Sequence, residues 1–210
     1  MTKYKNFSFS IAIDGSSASG KTTGSKIISK NFKFKLLSSG KLYRYVAFRL
    51  IKDKKKISDK LYLKKITNKI TLKKLKNNKL YNNDITSYAS TIAKKKFIRN
   101  LLKKFQKNFS RNKKFIIEGR DIASKIIPSA DLKLFFHCSA KEKAKRRLKE
   151  FKLINEKVTL KQVEKALIKR DNEDVKRKIS PLIMAKNAVL VDTTKLSLKQ
   201  MEDKLVRLVK

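Results

Sequence analysis

The stretch Phe7-Ser8-Phe9-Ser10-Ile11-Ala12-Ile13-Asp14-Gly15-Ser16-Ser17-Ala18-Ser19-Gly20-Lys21-Thr22-Thr23 decides the fold. Its first half is an apolar, β-prone run, Phe7 to Ile13, which predicts a strand. From Gly15 to Thr22 it reads Gly, four residues, then Gly-Lys-Thr, the pattern of a phosphate-binding loop. Residues Lys21 to Phe32 follow with Ile27, Ile28 and Phe32 at helical spacing. A strand before the motif and a helix after it are the context this loop requires. Gly15 and Gly20 allow backbone conformations that a β-carbon would block. The amides of Gly15, Ser16, Ser17, Ala18, Ser19, Gly20, Lys21, Thr22 and Thr23 are therefore expected around nucleotide phosphates, at the positive end of the helix. Lys21 brings a charge to the β and γ phosphates, and the Thr22 hydroxyl is the candidate Mg²⁺ ligand. Asp14 and Glu118 are both candidates for a second acid at the metal.

Beyond the loop, strand and helix alternate. Phe115 to Glu118, Leu132 to Phe136 and Val189 to Val191 are short strand candidates, and Ser39-Gly40 opens a helix carrying Leu42, Val46 and Leu50. Three capping boxes mark helix starts: Ser139 with Glu142, Thr159 with Gln162, and Ser197 with Gln200. This rhythm predicts an α/β fold with a parallel sheet covered by helices on both faces. Residues Lys54 to Asp84 break it. They are rich in Lys and Asn, poorly periodic, and read as a peripheral insertion with turns at Asn77-Asn78 and Asn82-Asn83. A helix returning to the core is expected from Thr86 to Lys107.

The 210 residues suit one such domain. No apolar stretch is long enough for a membrane span, and Met1 to Asn6 leaves no room for a signal peptide before the first strand. The single cysteine, Cys138, excludes a disulfide within the chain and fits a reducing cytoplasm. Cys138 reads as a small buried hydrophobe, and the lone His137 as a strand-end surface residue without a role. The net charge is +39, almost all of it lysine: only ten arginines occur. Such a surface would attract polyanions. The lysines are scattered, however, and no module pairing aromatics with arginines is readable. Compositional drift on solvated faces is favoured over a specific nucleic-acid site.

Against that background the arginines stand out, because their planar fork grips phosphate bidentately and lysine cannot. Arg44 follows Ser39, Arg120 and Asp121 follow an apolar run, and Arg170, Asp174 and Arg177 share one helix face if the helix continues that far. A short chain with this set and a phosphate loop suits a small-molecule phosphotransferase. It lacks the guanine-reading motifs of a GTPase and the length of a motor.

In these residues the chain resembles the bacterial cytidylate kinases over nearly its whole length. The likeness rests on Ile13 to Thr22, Ser39-Gly40-x-x-Tyr43-Arg44, Glu118-Gly119-Arg120-Asp121-Ile122 and Pro128-x-Ala130-Asp131-Leu132-Lys133. It continues in Arg170-Asp171-x-x-Asp174, Arg177-x-x-x-Pro181-Leu182 and Asp192-Thr193-Thr194. The resemblance implies a three-layer α/β/α kinase core, a reduced monophosphate-binding insertion at about 54–90 and a lid at about 145–180. It implies ATP-Mg²⁺ as donor, CMP or dCMP as acceptor, and a cytoplasmic monomer. Lys21, Arg120 and Arg177 are then the catalytic cations. Ser39 belongs to the CMP site. Ser90, Arg99 and Asp121 read the cytosine, and Arg44, Arg120 and Arg177 clamp its phosphate. Arg170 and Asp174 bind the sugar. Arg146 and Arg147 fall where the lid closes over ATP. Two departures are visible: Ser38 stands where the family usually has Asp, and the segment between Asp84 and Ser90 is short. UMP or AMP as acceptor, or a basic nucleic-acid-binding protein on the same scaffold, are the competing readings.

Overall fold

The computed structural model describes residues 8–152 and 158–210. The expected strand start at Phe7, the segment Met1 to Asn6, and residues 153–157 of the expected lid lie outside that range. The chain divides into two compact units, one formed by residues 1–36 and 112–210 and the other by 37–111.

In the first unit, β1 (Phe9–Gly15) is hydrogen-bonded on both sides, in parallel, to β3 (Lys114–Gly119) and β4 (Leu132–His137). β5 (Val189–Asp192) adds in parallel to β4. The full strand order is β2-β3-β1-β4-β5, with β2 spanning Lys35–Ser38. Ile11, Ala12 and Ile13 are all wholly buried. A strand with no solvated face needs a continuous apolar run rather than alternation, which is what Ile11 to Ile13 supplies. The loop after β1 leaves the sheet at its carboxyl end, where the chain of β1 continues toward β2 while those of its neighbours β3 and β4 continue toward β5. That is the usual ligand position of an open α/β sheet.

Helix α1 (Lys21–Phe32) follows that loop. Gly20, at its N-cap, has φ 87°, a left-handed conformation that glycine adopts without steric cost. Helix α8 (Leu198–Val209) lies against α1. Its Met201, Leu205 and Val209 complete a core with Ile11, Ile13, Ile28, Phe136 and Val191. Helices α6 (Ala140–Lys152) and α7 (Leu160–Lys176) pack on each other through Ala144, Val163 and Leu167, with Leu148, Phe151, Val158 and Leu160 at the margin. Both capping boxes expected at Thr159 and Ser197 are formed. The third is only half formed. Ser139 Oγ accepts the Glu142 amide at 3.3 Å. The Ser139 amide, however, donates to Thr194 Oγ1, and the Glu142 carboxylate turns to Arg146. Cys138 is buried and His137 exposed at the end of β4.

The second unit is helical. Helix α2 (Ser39–Lys52) buries Leu42, Tyr43, Tyr45, Val46, Ala47 and Leu50, and packs against α4 (Asn83–Ala93) through that unit's interior. Two expectations are corrected here. The stretch from Lys54 to Asp84 contains a helix, α3 (Lys60–Asn68), capped by Asp59, whose carboxylate accepts the Tyr62 amide at 2.8 Å. Its buried apolar positions Leu63 and Ile66 are too few against three lysines and an asparagine to stand out. The expected single helix from Thr86 to Lys107 is two: α4 ends at Ala93 and α5 spans Lys96–Phe109. Lys95 is extended, with φ −93° and ψ 113°, which breaks the helical path between them. The turns expected near Asn77 and Asn82 are present; Asn82 Oδ1 caps α4 by accepting the Asp84 amide.

Two helical glycines have opposite constraints. A Cβ on Gly24 would lie 2.6 Å from the Phe136 ring and 3.1 Å from Leu205, whereas one on Gly40 would meet nothing within 4 Å. Gly24→Ala is therefore expected to cost about 1–3 kcal/mol through overpacking. Gly40→Ala is expected to gain up to about 1 kcal/mol from reduced backbone entropy loss. Urea unfolding of both variants checks the opposite signs.

Candidate active site

The phosphate loop is bonded to itself. Lys21 Nζ donates to the Ser16 carbonyl at 2.8 Å, and Ser19 Oγ donates to the same oxygen at 3.0 Å. Gly15 is held against β4: a Cβ there would sit 2.5 Å from the Phe136 carbonyl oxygen. That close approach, together with a φ of 154° that residues with side chains rarely adopt, suits glycine to the first loop position. On the other side, Thr193 Oγ1 donates to the Ser19 carbonyl at 3.0 Å. Arg146 of α6 grips the same threonine, Nη1 on Oγ1 at 3.0 Å and Nη2 on the carbonyl at 2.7 Å. The loop is thus fastened to the end of β5 and to α6. Arg147, one residue on, points elsewhere, pairing with Glu150 and stacking on Phe151.

Burial is strong enough to perturb the charges. It lowers the Lys21 ammonium to about 7; the Arg120 charge adds to the effect and the Glu118 carboxylate opposes it. Burial likewise raises the Asp14 carboxyl to about 6, against the amides of Ile122 and Ala123 that lower it. Those two amides, each 2.8 Å away, occupy both Asp14 oxygens. Asp14 is thus tied to the turn after β3. Glu118, at the end of β3, instead accepts the Thr22 hydroxyl at 2.8 and 3.0 Å on its two oxygens. Of the two acids considered for a metal, Glu118 is the one beside Thr22.

The downstream arginines gather around a carboxylate. Arg120 Nε donates to Asp174 at 2.8 Å, and Arg177 Nη1 lies 3.2 Å from the other Asp174 oxygen. Burial pushes the Asp174 carboxyl up, but the Arg120, Arg177 and Arg170 guanidiniums outweigh it and hold it below the ordinary carboxylate range. Arg170 and Asp174 lie on α7, while Arg177 is its C-cap, so the face expected from their spacing persists to the helix end. Asp121 is buried just after β3. Within the second unit, Arg99 is buried, donating to the Ala93 carbonyl at 3.0 Å and lying over the Tyr43 ring. Ser39 is buried and accepts from Gln106 at 2.7 Å. Arg44 stacks on Tyr81, 5.1 Å from the ring centre. Ser90 is half-buried on α4, and Ser38 is the N-cap of α2, without a side-chain bond to that helix.

A profile of the cytidylate kinases matches residues 11–210. Cytidylate kinases from Thermosipho melanesiensis and Thermotoga maritima are 35% and 36% identical, covering 95% and 96% of this chain and 96% and 97% of those proteins. The cytidylate kinase of Mycoplasmoides gallisepticum is 35% identical over 100% of this chain and 96% of its own length. The chain belongs to the cytidylate kinase family. Among solved structures, an uncharacterized protein from Eubacterium ventriosum superposes with a TM-score of 0.56, covering 95% of this chain and 96% of that one at 13% identity. Shikimate kinase from Bacteroides thetaiotaomicron gives 0.50 at 12% identity over 95% and 96%. These two likenesses bear on the fold, the α/β kinase architecture expected of the family.

Sequence reasoning missed three groups that touch the phosphate loop of this family member. Lys143 of α6 is buried, paired with Asp171 of α7, and 3.3 Å from Ser16 Oγ. Asp171 also accepts the Ser17 amide at 3.2 Å. Asp171 stood inside a quoted motif, but nothing in the sequence separated Lys143 from the many other lysines. Thr193 was likewise part of a motif, with no sign that it fastens the loop.

Proposed function

We propose that this protein transfers the γ-phosphoryl group of ATP to the α-phosphate oxygen of CMP, and of dCMP, yielding ADP and the diphosphate. The observation that carries the reading is the cationic cluster of the first unit. Lys21 sits in the phosphate loop with Thr22 and Glu118 beside it, and Arg120 and Arg177 are held on Asp174. The family membership supports the choice of CMP.

The acceptor phosphate is already ionised, so no strong base is required. Phosphoryl transfer asks the protein for alignment and for neutralisation of charge on the transferring group. Loop amides and Lys21 would hold the donor phosphates, and Arg120 and Arg177 the acceptor phosphate. Asp174 would then turn to the sugar hydroxyls, with Arg170 beside it. Thr22 and Glu118 offer hard oxygen donors suited to Mg²⁺, which is usually bound by one or two protein oxygens together with substrate phosphates and water. Bound there, Mg²⁺ would neutralise charge developing on the phosphates. Asp121 is assigned to the cytosine amino group in the first unit. Ser39, Arg44, Ser90 and Arg99 are likewise assigned to CMP. Helices α6 and α7 are assigned to the lid, with Arg146 on the ATP side. Arg147, paired with Glu150, has less support for that role. Lid closure would exclude water and suppress ATP hydrolysis. A monomer in the cytoplasm completes the reading.

A coupled assay of ADP release with CMP, dCMP, UMP and AMP tests the proposal. CMP is expected to give the highest kcat/KM, and Lys21→Met to lower kcat by about 10²–10³-fold while the fold survives. Release stimulated by none of the four would sink the kinase reading; preference for AMP would sink the assignment of Asp121, Ser90 and Arg99.

The lowered Lys21 pKa has a separate signature. Without nucleotide Lys21 is mostly neutral above its pKa of about 7, and bound phosphates favour the charged form. ATP binding at pH 8 is therefore expected to take up roughly one proton, and at pH 6 close to none. Calorimetry in two buffers of different ionisation enthalpy measures this. Equal uptake at both pH values would contradict it.

A further inference from the structure

We propose that Lys143 is a further phosphate-contacting residue, and that Asp171 holds its place and the phosphate's until nucleotide arrives. The inference rests on the reading of this loop as an ATP site. Three observations carry it. The Ser17 amide, one of the donors a phosphate-binding loop turns toward its anion, is taken by the Asp171 carboxylate at 3.2 Å. The other oxygen of that carboxylate is bound by the Lys143 ammonium. The ammonium in turn lies 3.3 Å from Ser16 Oγ, at the lip of the same loop. Lys143 is only 7% exposed, which sets it apart from the solvated lysines that make up most of the charge excess.

A buried lysine is costly unless an anion compensates it. Asp171 supplies that anion here, and a carboxylate accepting a loop amide has the donor requirements of a phosphate oxygen. When nucleotide phosphate enters, it competes with Asp171 for the Ser17 amide and offers Lys143 a second anionic partner. Both groups ride on the α6–α7 pair, which is packed through Ala144, Val163 and Leu167. Exchange of Asp171 for phosphate would therefore couple donor binding to the position of these helices. Asp171 differs in this from Asp174, three residues on, whose partners are Arg120 and Arg177. The two carboxylates of α7 thus hold two different sets of cations.

ATP affinity, measured by calorimetry on the full chain, separates this from a merely structural ion pair. Removing the competing carboxylate in Asp171→Asn is expected to tighten ATP binding about tenfold, even if the variant melts at a lower temperature. Removing the ammonium in Lys143→Met is expected to weaken ATP binding and raise the KM for ATP about tenfold, with the KM for CMP moving less than about twofold. Unchanged or weaker ATP binding in Asp171→Asn overturns the placeholder role. Should that variant not fold, Lys143→Met decides alone, and unchanged ATP binding there overturns the proposal. Wild-type protein that binds ATP but phosphorylates no monophosphate would defeat the kinase reading while leaving this inference standing, because the two are read by different measurements.

Discussion

The concentration of buried positive charge around one loop is the constraint on which the rest of the first unit depends. Lys21 and Lys143 lie at the loop after β1 and Arg120 and Arg177 share Asp174, a set suited to neutralising the phosphates that we propose bind there. Without phosphates the same charges repel one another and have lost their water. Three acidic side chains answer this. Glu118 faces Thr22 and opposes the lowering of Lys21, Asp171 holds Lys143, and Asp174 holds Arg120 and Arg177. In a chain with only 17 acidic residues against 56 basic ones, the placement of three of them here is the clearest sign of what the loop is for.

The fold serves that constraint directly. A wholly buried central strand puts the loop at the sheet's carboxyl end. The absence of a β-carbon at Gly15 lets the backbone press against β4. Thr193, at the end of β5, and Arg146 on α6 then fasten the loop's far side. Asp14 is used up in bonding the turn after β3, which leaves Glu118 as the acid facing Thr22. These contacts fix the loop and its neighbours in place, and preorganisation of this kind is the form electrostatic catalysis takes in phosphoryl transfer.

Much of this was legible in the residues, and the gaps have physical reasons. β1, the loop and α1 were readable because an apolar run, two glycines and a helical period sit side by side. The edge strand β2, only Lys35–Ser38, is too short to carry a period. The break between α4 and α5 falls in Lys94-Lys95-Lys96, three residues with no breaker chemistry, so tertiary packing rather than local preference ends the helix. Helix α3 was hidden by lysines on its solvated face. Among site residues, arginine was informative because it is rare here, and Asp174 because it sat at helical spacing from Arg170. Lys143 was invisible for the opposite reason: lysine is everywhere in this sequence, and only burial distinguishes this one. Its partner Asp171 lies on another helix, so no local spacing links them.

If carboxylates stand in for phosphate among these cations, Asp174→Asn should expose it. Thermal unfolding of that variant would be followed with and without inorganic phosphate. Without phosphate the variant is expected to melt at a lower temperature than wild type, because Arg120 and Arg177 lose their shared anion. Added phosphate is expected to raise its melting temperature by more than it raises that of wild type. An unchanged melting temperature, or a loss that phosphate does nothing to restore, would contradict it.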